Sequence, residues 1–404
     1  MESPAAASTP AAIFGRFLRF GLFAWGGPVA QIAMLRHELV NQERWVTSDR
    51  FNRLLAVYQV LPGPEAHELA VHMGLVRGGR VGALLAGLGF MLPGFVLMVL
   101  LSWLYLRIDL TQPSVAAALL GAQLAVVALV TRAVPRIGSH ILVNPAAWLI
   151  AIGVGFASAA GISFLLTLPA AAIAYVLALR FERFAVRVLA VVALVAAAAM
   201  FIAGAPGLLG PSTGELQQPP GGAVRPDALA LFGSGLKAGL LTFGGAYTAI
   251  PFVRHDAVGN GWITDAQFLD GLALGGVLPA PLIIFATFVG FVAGGLSGAV
   301  AITLGIFLPA FSFALLIGDR LEALVEWAPL HRALEGVAAG VVGIIAVTAV
   351  QLGGTVAGRL PSLLVGAVLF AACLAVLFVW RSRWATPAVV AGGAVAGLLL
   401  FGGG

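Results

Sequence analysis

Long runs of apolar residues constrain this chain of 404 residues more than any other feature. Stretches such as 81–106 and 115–134 carry almost no charge and, as helices, are long enough to cross a hydrocarbon core of about 30 Å. Charged residues make up 10% of the chain, whereas a soluble globular protein carries about 25%. The sequence therefore predicts an all-α polytopic membrane protein whose main partner is the lipid bilayer.

The apolar pattern divides into 13 candidate spans, several of them interrupted by proline. They lie near 15–35, 54–75, 81–106, 115–134, 146–162, 163–179, 187–205, 229–252, 266–292, 296–318, 333–352, 360–380 and 385–402. The stretch 146–179 is divided at Gly161 because one helix of that length exceeds the bilayer thickness. We expect a disordered tail at 1–12, a first half at 13–205, a Pro/Gly-rich linker at 206–228 and a second half at 229–404.

The basic residues predict the orientation. The net charge of +5 is too small and too scattered for nucleic-acid binding. With the N-terminus inside, cytoplasmic segments hold 14 arginines and outer segments 7, as the positive-inside rule requires. Four of the seven exceptions cluster in the segment 36–53, which therefore needs a separate explanation. The lone Cys373 excludes an intrachain disulfide or a cysteine-based metal site.

The two halves of the chain repeat the same motifs in the same order. The stretch AWGGPVAQIAMLRHELVNQERWVTSDRF, which begins at residue 24, matches TFGGAYTAIPFVRHDAVGNGWITDAQF, which begins at residue 242. Further on, the motif LPGP at 61–64 matches LPAP at 278–281. Because the first span and its counterpart are seven spans apart, an odd number, the halves are predicted to face opposite ways. Inverted repeats of this kind are typical of secondary transporters.

These motifs carry a family resemblance. The order GGP, a charged stretch with a tryptophan, LPGP and GFMLPGF, repeated in a second half, resembles the chromate ion transporter (CHR) family over residues 14–380. The resemblance implies a full-length, two-domain secondary transporter that exports chromate across the bacterial cytoplasmic membrane and confers resistance. The second half departs from the pattern, with alanine in place of glycine between its two prolines, so the halves need not contribute equally.

The paired prolines predict broken helices at membrane depth. Each proline removes a backbone donor and clashes with the preceding turn. Such a break is tolerated where it is packed in protein or lines a cavity, and the following helix presents N–H groups that suit an anion. The alternative is a plain kink. The predicted substrate-binding residues here are Pro62, Gly63, Pro64, Pro279, Ala280 and Pro281.

Two further duplicated motifs are candidates for the anion site. The Gly-Gly pairs could be close helix-packing points or breaks that expose N–H groups. The Arg-His pairs offer a guanidinium fork suited to a tetrahedral oxyanion, or else are interfacial caps balanced by Glu38 and Asp256. The residues are Gly26, Gly27, Gly244, Gly245, Arg36, His37, Arg254 and His255. Lys237 lies within an apolar run, where snorkelling is the alternative.

Carboxylates inside spans are candidates for proton coupling. Glu65 and Glu68 follow the first proline motif and share one helix face at a spacing of three. Asp270 and Glu335 lie in or beside spans of the second half. Intramembrane acids are functional candidates in general.

Other functions have less support. A carrier for sulfate or another tetrahedral oxyanion fits the same features, and a channel suits inverted repeats less well. An intramembrane hydrolase is a remote alternative. His67 and His72 are five residues apart, whereas a zinc-binding helix needs four. We therefore expect that the chain is not an enzyme and that it binds no cofactor or metal. A homodimer is one assembly that such a carrier could form.

Overall fold

The computed structural model describes residues 9–180, 225–318, 327–380 and 382–402, and these form helices. The first half contains α1 (Pro10–Leu22), α2 (Gly27–Leu35), α3 (Ser48–Val60), α4 (Glu65–Tyr105), α5 (Pro113–Ile141), α6 (Pro145–Ala159) and α7 (Phe164–Arg180). The second contains α8 (Ala228–Leu240), α9 (Ile250–Ala257), α10 (Asp265–Val277), α11 (Phe285–Ile317), α12 (Ala328–Ala357), α13 (Leu363–Val379) and α14 (Ala385–Phe401). A π-helix (Arg36–Gln42) extends α2, and 3-10 turns (Ala246–Ala249 and Leu282–Ile284) precede α9 and α11. The predicted span 187–205 and most of the linker lie outside the described residues.

The described parts of the two halves contain equivalent helices, and a threonine caps one such helix in each half. Thr47 caps α3 and Thr264 caps α10, each accepting a hydrogen bond from the backbone N–H three residues later. Side-chain oxygens at these positions satisfy N–H groups that have no partner inside the helix. The predicted break at Gly161 is confirmed, since α6 and α7 are separate helices and this glycine has a φ of +80°.

Both long helices, α4 and α11, fold back on themselves at two adjacent glycines, Gly78 and Gly79 in α4 and Gly294 and Gly295 in α11. Gly79 has φ 60° and ψ −154°, and the equivalent Gly295 has φ 64° and ψ −155°. These left-handed values favour glycine. The hydroxyls of Thr287 and Thr303 are 2.7 Å apart across the turn in α11. We call the segments before and after the turns α4a (65–77), α4b (80–105), α11a (285–293) and α11b (296–317).

The proline motifs break the chain into hairpins rather than kinked helices. The α3 and α4a segments flank residues 61–64 and run antiparallel, so that the Tyr58 hydroxyl lies 2.9 Å from His72 Nδ1. A straight helix through the break would separate these two residues by about 21 Å. We call this unit hairpin 1. The predicted break is therefore present, and the chain turns back at it, so 54–75 is a hairpin rather than a single kinked span.

The second half contains the equivalent hairpin 2, formed by α10, residues 278–281 and α11a. Gly271 packs against Phe288, and Gly275 packs against Phe285. These pairs require antiparallel segments, so the predicted span 266–292 is also a hairpin. The separately predicted spans 81–106 and 296–318 correspond to α4b and α11b.

Glycines that are seven residues apart, and so lie on one helix face, allow close packing of helices. They are Gly82 and Gly89 in α4b and Gly298 and Gly305 in α11b. Gly82 lies against Gly74 and Gly298 against Gly290, within the folded helices α4 and α11. Gly89 packs on the backbone of α1, and Gly305 on that of α8. Small residues let backbones approach in this way in membrane proteins.

Helices α5 and α12 occupy equivalent places in the two halves and pack against each other. Gly138 lies beside Val342, and Gly353 lies beside Val127. Because the residue numbers rise in opposite directions, the two equivalent helices are antiparallel.

By length and composition, four helical segments within the described residues can cross a membrane. They are Glu65–Tyr105, Pro113–Ile141, Leu282–Leu316 and Ala328–Ala357. Five shorter apolar helices accompany them. Large apolar side chains such as Leu364 (76% exposed) and Leu399 (75% exposed) face outward, as contact with lipid requires. The chain is a multi-pass membrane protein.

Candidate functional site

The tips of the two hairpins contact the opposite half of the molecule. In tip 1 (residues 61–64), Gly63 N–H donates a hydrogen bond of 2.8 Å to the carbonyl of Thr242. At the end of α10, next to tip 2 (residues 278–281), the Val277 carbonyl accepts a 3.3 Å hydrogen bond from the Trp25 indole. Ala280 packs against Gly94 of α4b. The two halves are thus joined at the proline motifs that the sequence singled out.

Each hairpin tip is held by the opposite Gly-Gly segment, and both segments are turns. Gly26, Gly27, Gly244 and Gly245 have φ values of 97°, 73°, 72° and 118°. Such values interrupt a helix and favour glycine. The structure therefore decides between the two sequence interpretations in favour of breaks. Neither α2 nor the turn Ala246–Ala249 has a side-chain cap, so their first N–H groups are available.

A cavity of about 530 Å³ lies between the halves at this junction. Its lining comes from hairpin 1, the first residues of α2, the Gly244–Gly245 turn, the C-terminal end of α5 and the start of α12. The lining includes Pro28, Gln59, Val60, Glu65, Arg136, His140, Gly244, Gly245, Tyr247, His331 and Glu335. The cavity thus combines broken helices with both signs of charge.

Arg136 is the cationic residue of α5 that lines this cavity, and sequence analysis had placed it in a cytoplasmic segment. It lies inside α5, more than one turn before the helix ends at Ile141. Electrostatically it acts on Glu65 and Tyr247, which line the same cavity. A signal was present in the sequence, since Arg132 and Arg136 are four residues apart in an apolar run, and intramembrane cations mark ion pathways.

The Arg-His pairs lie away from the tips, near the bases of the hairpins. Arg254 forms two hydrogen bonds with the Asp265 carboxylate, of 2.7 and 3.2 Å, and a third of 3.0 Å with Gln351. Arg36 donates to Ser48 at 2.9 Å. Asp265 and Ser48 begin the first arms of the two hairpins, about 20 Å from the tips along a helix. The structure therefore does not bring these arginines together with the proline motifs.

Three charged residues near the Arg-His pairs, His255, Lys237 and Glu38, have partners close by. The His255 side chain is 61% exposed, with Nδ1 3.3 Å from the Asp256 carboxylate. Lys237 forms an ion pair with the same carboxylate. On the first-half side, Glu38 pairs with Arg16 at 2.8 Å.

The two proton-coupling candidates differ in their surroundings. Glu65 lines the cavity and is 8% exposed. Glu68 is completely buried directly behind tip 1, where it packs on Gly63. Among the described residues neither oxygen of Glu68 has a hydrogen-bond partner. His67 is also buried, with its ring between Phe307 and Phe311.

Asp270 belongs to a separate buried network, toward the other ends of α5 and α12 from the cavity. It accepts hydrogen bonds from the Tyr105 hydroxyl at 2.8 Å and from Gln123 Nε2 at 2.6 Å. Arg359 donates to Gln123 Oε1 at 2.9 Å. Tyr105 and Gln123 come from the first half, and Asp270 and Arg359 from the second. We call these four residues the inter-half network.

Comparison with known proteins identifies the relatives of this chain. The family model described as chromate transporter matches residues 11–201 and 229–398. A chromate transport protein of Pseudomonas aeruginosa is 56% identical over 96% of this chain and 92% of the relative. A chromate transport protein of Cupriavidus metallidurans is 27% identical over 95% of this chain and 92% of the relative. A probable chromate transport protein of Synechococcus elongatus is 26% identical over 95% and 94%. No solved structure matches.

Proposed function

The chain belongs to the chromate transporter family, and on that premise we propose that it is a secondary carrier that exports chromate across the bacterial cytoplasmic membrane. The observation that carries this proposal is the cavity in which Arg136 shares the lining with Glu65, which directly follows tip 1, and with the Gly244–Gly245 turn.

The proposed anion site consists of Arg136 and the backbone around it. The guanidinium is a planar donor fork that matches an oxyanion. The N-terminus of α4a follows Pro64 without a side-chain cap, and its N–H groups and dipole favour negative charge. The Gly244–Gly245 turn adds backbone N–H groups at the same cavity. Arg36 and Arg254, through Ser48 and Asp265, then support the hairpin bases rather than contact the anion. The neighbouring His37 and His255 are exposed.

The arrangement of the halves supports alternating access. The equivalent helices α5 and α12 are antiparallel, as a pseudo-two-fold axis in the membrane plane requires. The cavity lies beside the C-terminal end of α5 and the start of α12, the side that the arginine distribution predicts to be cytoplasmic. The inter-half network joins the halves on the opposite side. Loading from the cytoplasm is what an exporter needs.

The test is transport of radiolabelled chromate by the purified protein in vesicles, compared between Arg136→Gln and Arg107→Gln. Arg107 stacks on Trp103 at an exposed position outside the cavity and is the matched control. We expect Arg136→Gln to raise KM about 10- to 150-fold, because hydrogen bonds to charged groups contribute about 1.5–3 kcal/mol. Chromate movement that is equal in both variants would contradict the proposed site, and no saturable movement in the unaltered protein would contradict the carrier.

Sulfate is the second candidate substrate, because the site described recognises charge and tetrahedral shape. Unlabelled sulfate added to the same assay distinguishes a chromate-selective carrier from a general oxyanion carrier. Competition at concentrations similar to those of chromate would indicate a general oxyanion carrier, whereas chromate selectivity would favour the first proposal.

A further inference from the structure

Hairpin 1 contains a row of buried ionisable residues that hairpin 2 lacks. Along α3 and α4a the row comprises Glu65, Glu68, Tyr58 and His72, all buried. The equivalent positions of hairpin 2, by the match of LPGP with LPAP, are Leu282, Phe285, Gly275 and Val289. The backbone is duplicated but the chemistry is not, so packing of the hairpin does not require these groups. The row therefore points to a role of hairpin 1 alone.

Glu68 is the member of the row that packing explains least. An ionised carboxylate that is buried without a partner is costly enough that the group binds a proton instead. Both oxygens of Glu68 are buried and lack hydrogen-bond partners among the described residues. Burial without a partner therefore favours the neutral, protonated form of Glu68 behind tip 1. Its contact with Gly63 means that a movement of the tip changes its surroundings.

The neighbours of Glu68 connect it to the cavity and to the interior of hairpin 1. Glu65 lies three residues earlier on the same face and lines the cavity. On α3, Tyr58 faces Glu68 and hydrogen-bonds His72 Nδ1 at 2.9 Å. Arg136 of α5 acts on Glu65. The rings of Phe307 and Phe311 from α11b pack against the ring of His67, the residue before Glu68.

We infer that Glu68 is the site that carries a coupling proton through the transport cycle, loaded from the cavity through Glu65. This inference rests on the proposed carrier function, because it assigns the coupling ion of the same cycle. A proton from cavity water binds the Glu65 carboxylate and passes to Glu68, which leaves Glu65 ionised again beside Arg136. When tip 1 moves, the surroundings of Glu68 change and it releases the proton to the opposite side of the membrane.

The test compares two modes of chromate movement in vesicles containing the full-length protein. Exchange of labelled for unlabelled chromate needs binding and the conformational change, but no net proton movement. Chromate movement driven by an imposed pH gradient needs the proton site. For Glu68→Gln we expect exchange within about twofold of the unaltered protein, whereas gradient-driven movement falls about tenfold or more and chromate-dependent proton flux is lost.

Two further variants support the comparison. Asp109→Asn is the control, because Asp109 lies in the exposed loop after α4, where hydrogen bonds from Thr111 lower its pKa. Tyr58→Phe removes one hydroxyl from the row and is expected to slow the proton flux while exchange continues. It keeps the inference testable if Glu68→Gln does not fold.

The outcomes separate this inference from the proposed function. Chromate exchange without proton flux in the unaltered protein would overturn the inference and leave the carrier intact. Gradient-driven movement that Glu68→Gln retains would also overturn it, as would a folded Glu68→Gln protein that has lost exchange as well. If the unaltered protein moves no chromate in either mode, the proposed function itself fails.

Discussion

The guanidinium of Arg77 lies 5.3 Å from the ring of Trp45, although hairpin 1 separates the two residues in sequence. Trp45 precedes α3 and Arg77 ends α4a, so both ends of the hairpin lie at the same side of the molecule. The segment 36–53, where four arginines depart from the positive-inside rule, leads into this hairpin. A re-entrant hairpin places both of its ends on one face, and this accounts for the cluster if that face is the cytoplasmic one.

We expect cysteines at positions 41 and 80 to be labelled from the same side of the membrane. The change is Asn41→Cys or Arg80→Cys in a Cys373→Ser background, and both positions are exposed. Asp109→Cys, beyond α4b, should be labelled from the opposite side. The measurement is reaction with a membrane-impermeant maleimide in sealed vesicles of each orientation. Labelling of 41 and 80 from opposite sides would show that hairpin 1 crosses the bilayer.

Gly63→Ala is expected to abolish transport. An alanine at φ +153° is strained, and its methyl group would collide with the Glu68 carboxyl. The control is Gly161→Ala, where φ is +80° but the space around the position is open. Strain of about 1–3 kcal/mol should appear in both variants as a lower melting temperature. Only Gly63→Ala should lose chromate exchange. Equal exchange in the two variants would show that transport does not depend on the contact between Gly63 and Glu68.

Arg254→Ala is expected to reduce stability more than substrate affinity. The Arg254 side chain is 13% exposed and the Asp265 side chain 19%, so the substitution leaves a half-buried carboxylate without its cation. We expect a loss of about 2–3 kcal/mol. Arg36→Ala removes a single hydrogen bond to Ser48 and should cost about 1 kcal/mol. Thermal unfolding in detergent and the KM for chromate measure the two effects. A large rise in KM with unchanged stability would show instead that Arg36 and Arg254 belong to the substrate site.

Tyr105→Phe is expected to loosen the inter-half network. The Asp270 carboxylate keeps Gln123 but loses the hydroxyl, a change of about 1.5–3 kcal/mol for a bond to a charged group. A cysteine at buried Ser102, one turn away on α4b, should then be alkylated faster. Tyr175→Phe removes a hydroxyl that bonds Asn144 at 2.7 Å elsewhere and is the control. Unchanged alkylation in Tyr105→Phe would show that the network does not close this side.

The site illustrates which residues sequence analysis could identify. The proline motifs and Gly-Gly pairs were found because their backbone requirements are local and recur in both halves. Arg136 was missed because a cation near the end of an apolar run looks the same whether it faces a headgroup region or a cavity. Arg36 and Arg254 were assigned to the anion by chemical suitability, whereas their contacts are with Ser48 and Asp265.

The sequence by itself determined the solvent, the helical class, the duplication and the positions of the breaks, because apolar run length, proline and glycine act on the adjacent backbone. Only the tertiary structure decided the direction in which the chain continues after each break. A proline ends a helix without specifying whether the next segment crosses the bilayer or turns back. That choice depends on contacts such as Tyr58 with His72 and Gly271 with Phe288, which join residues distant in sequence.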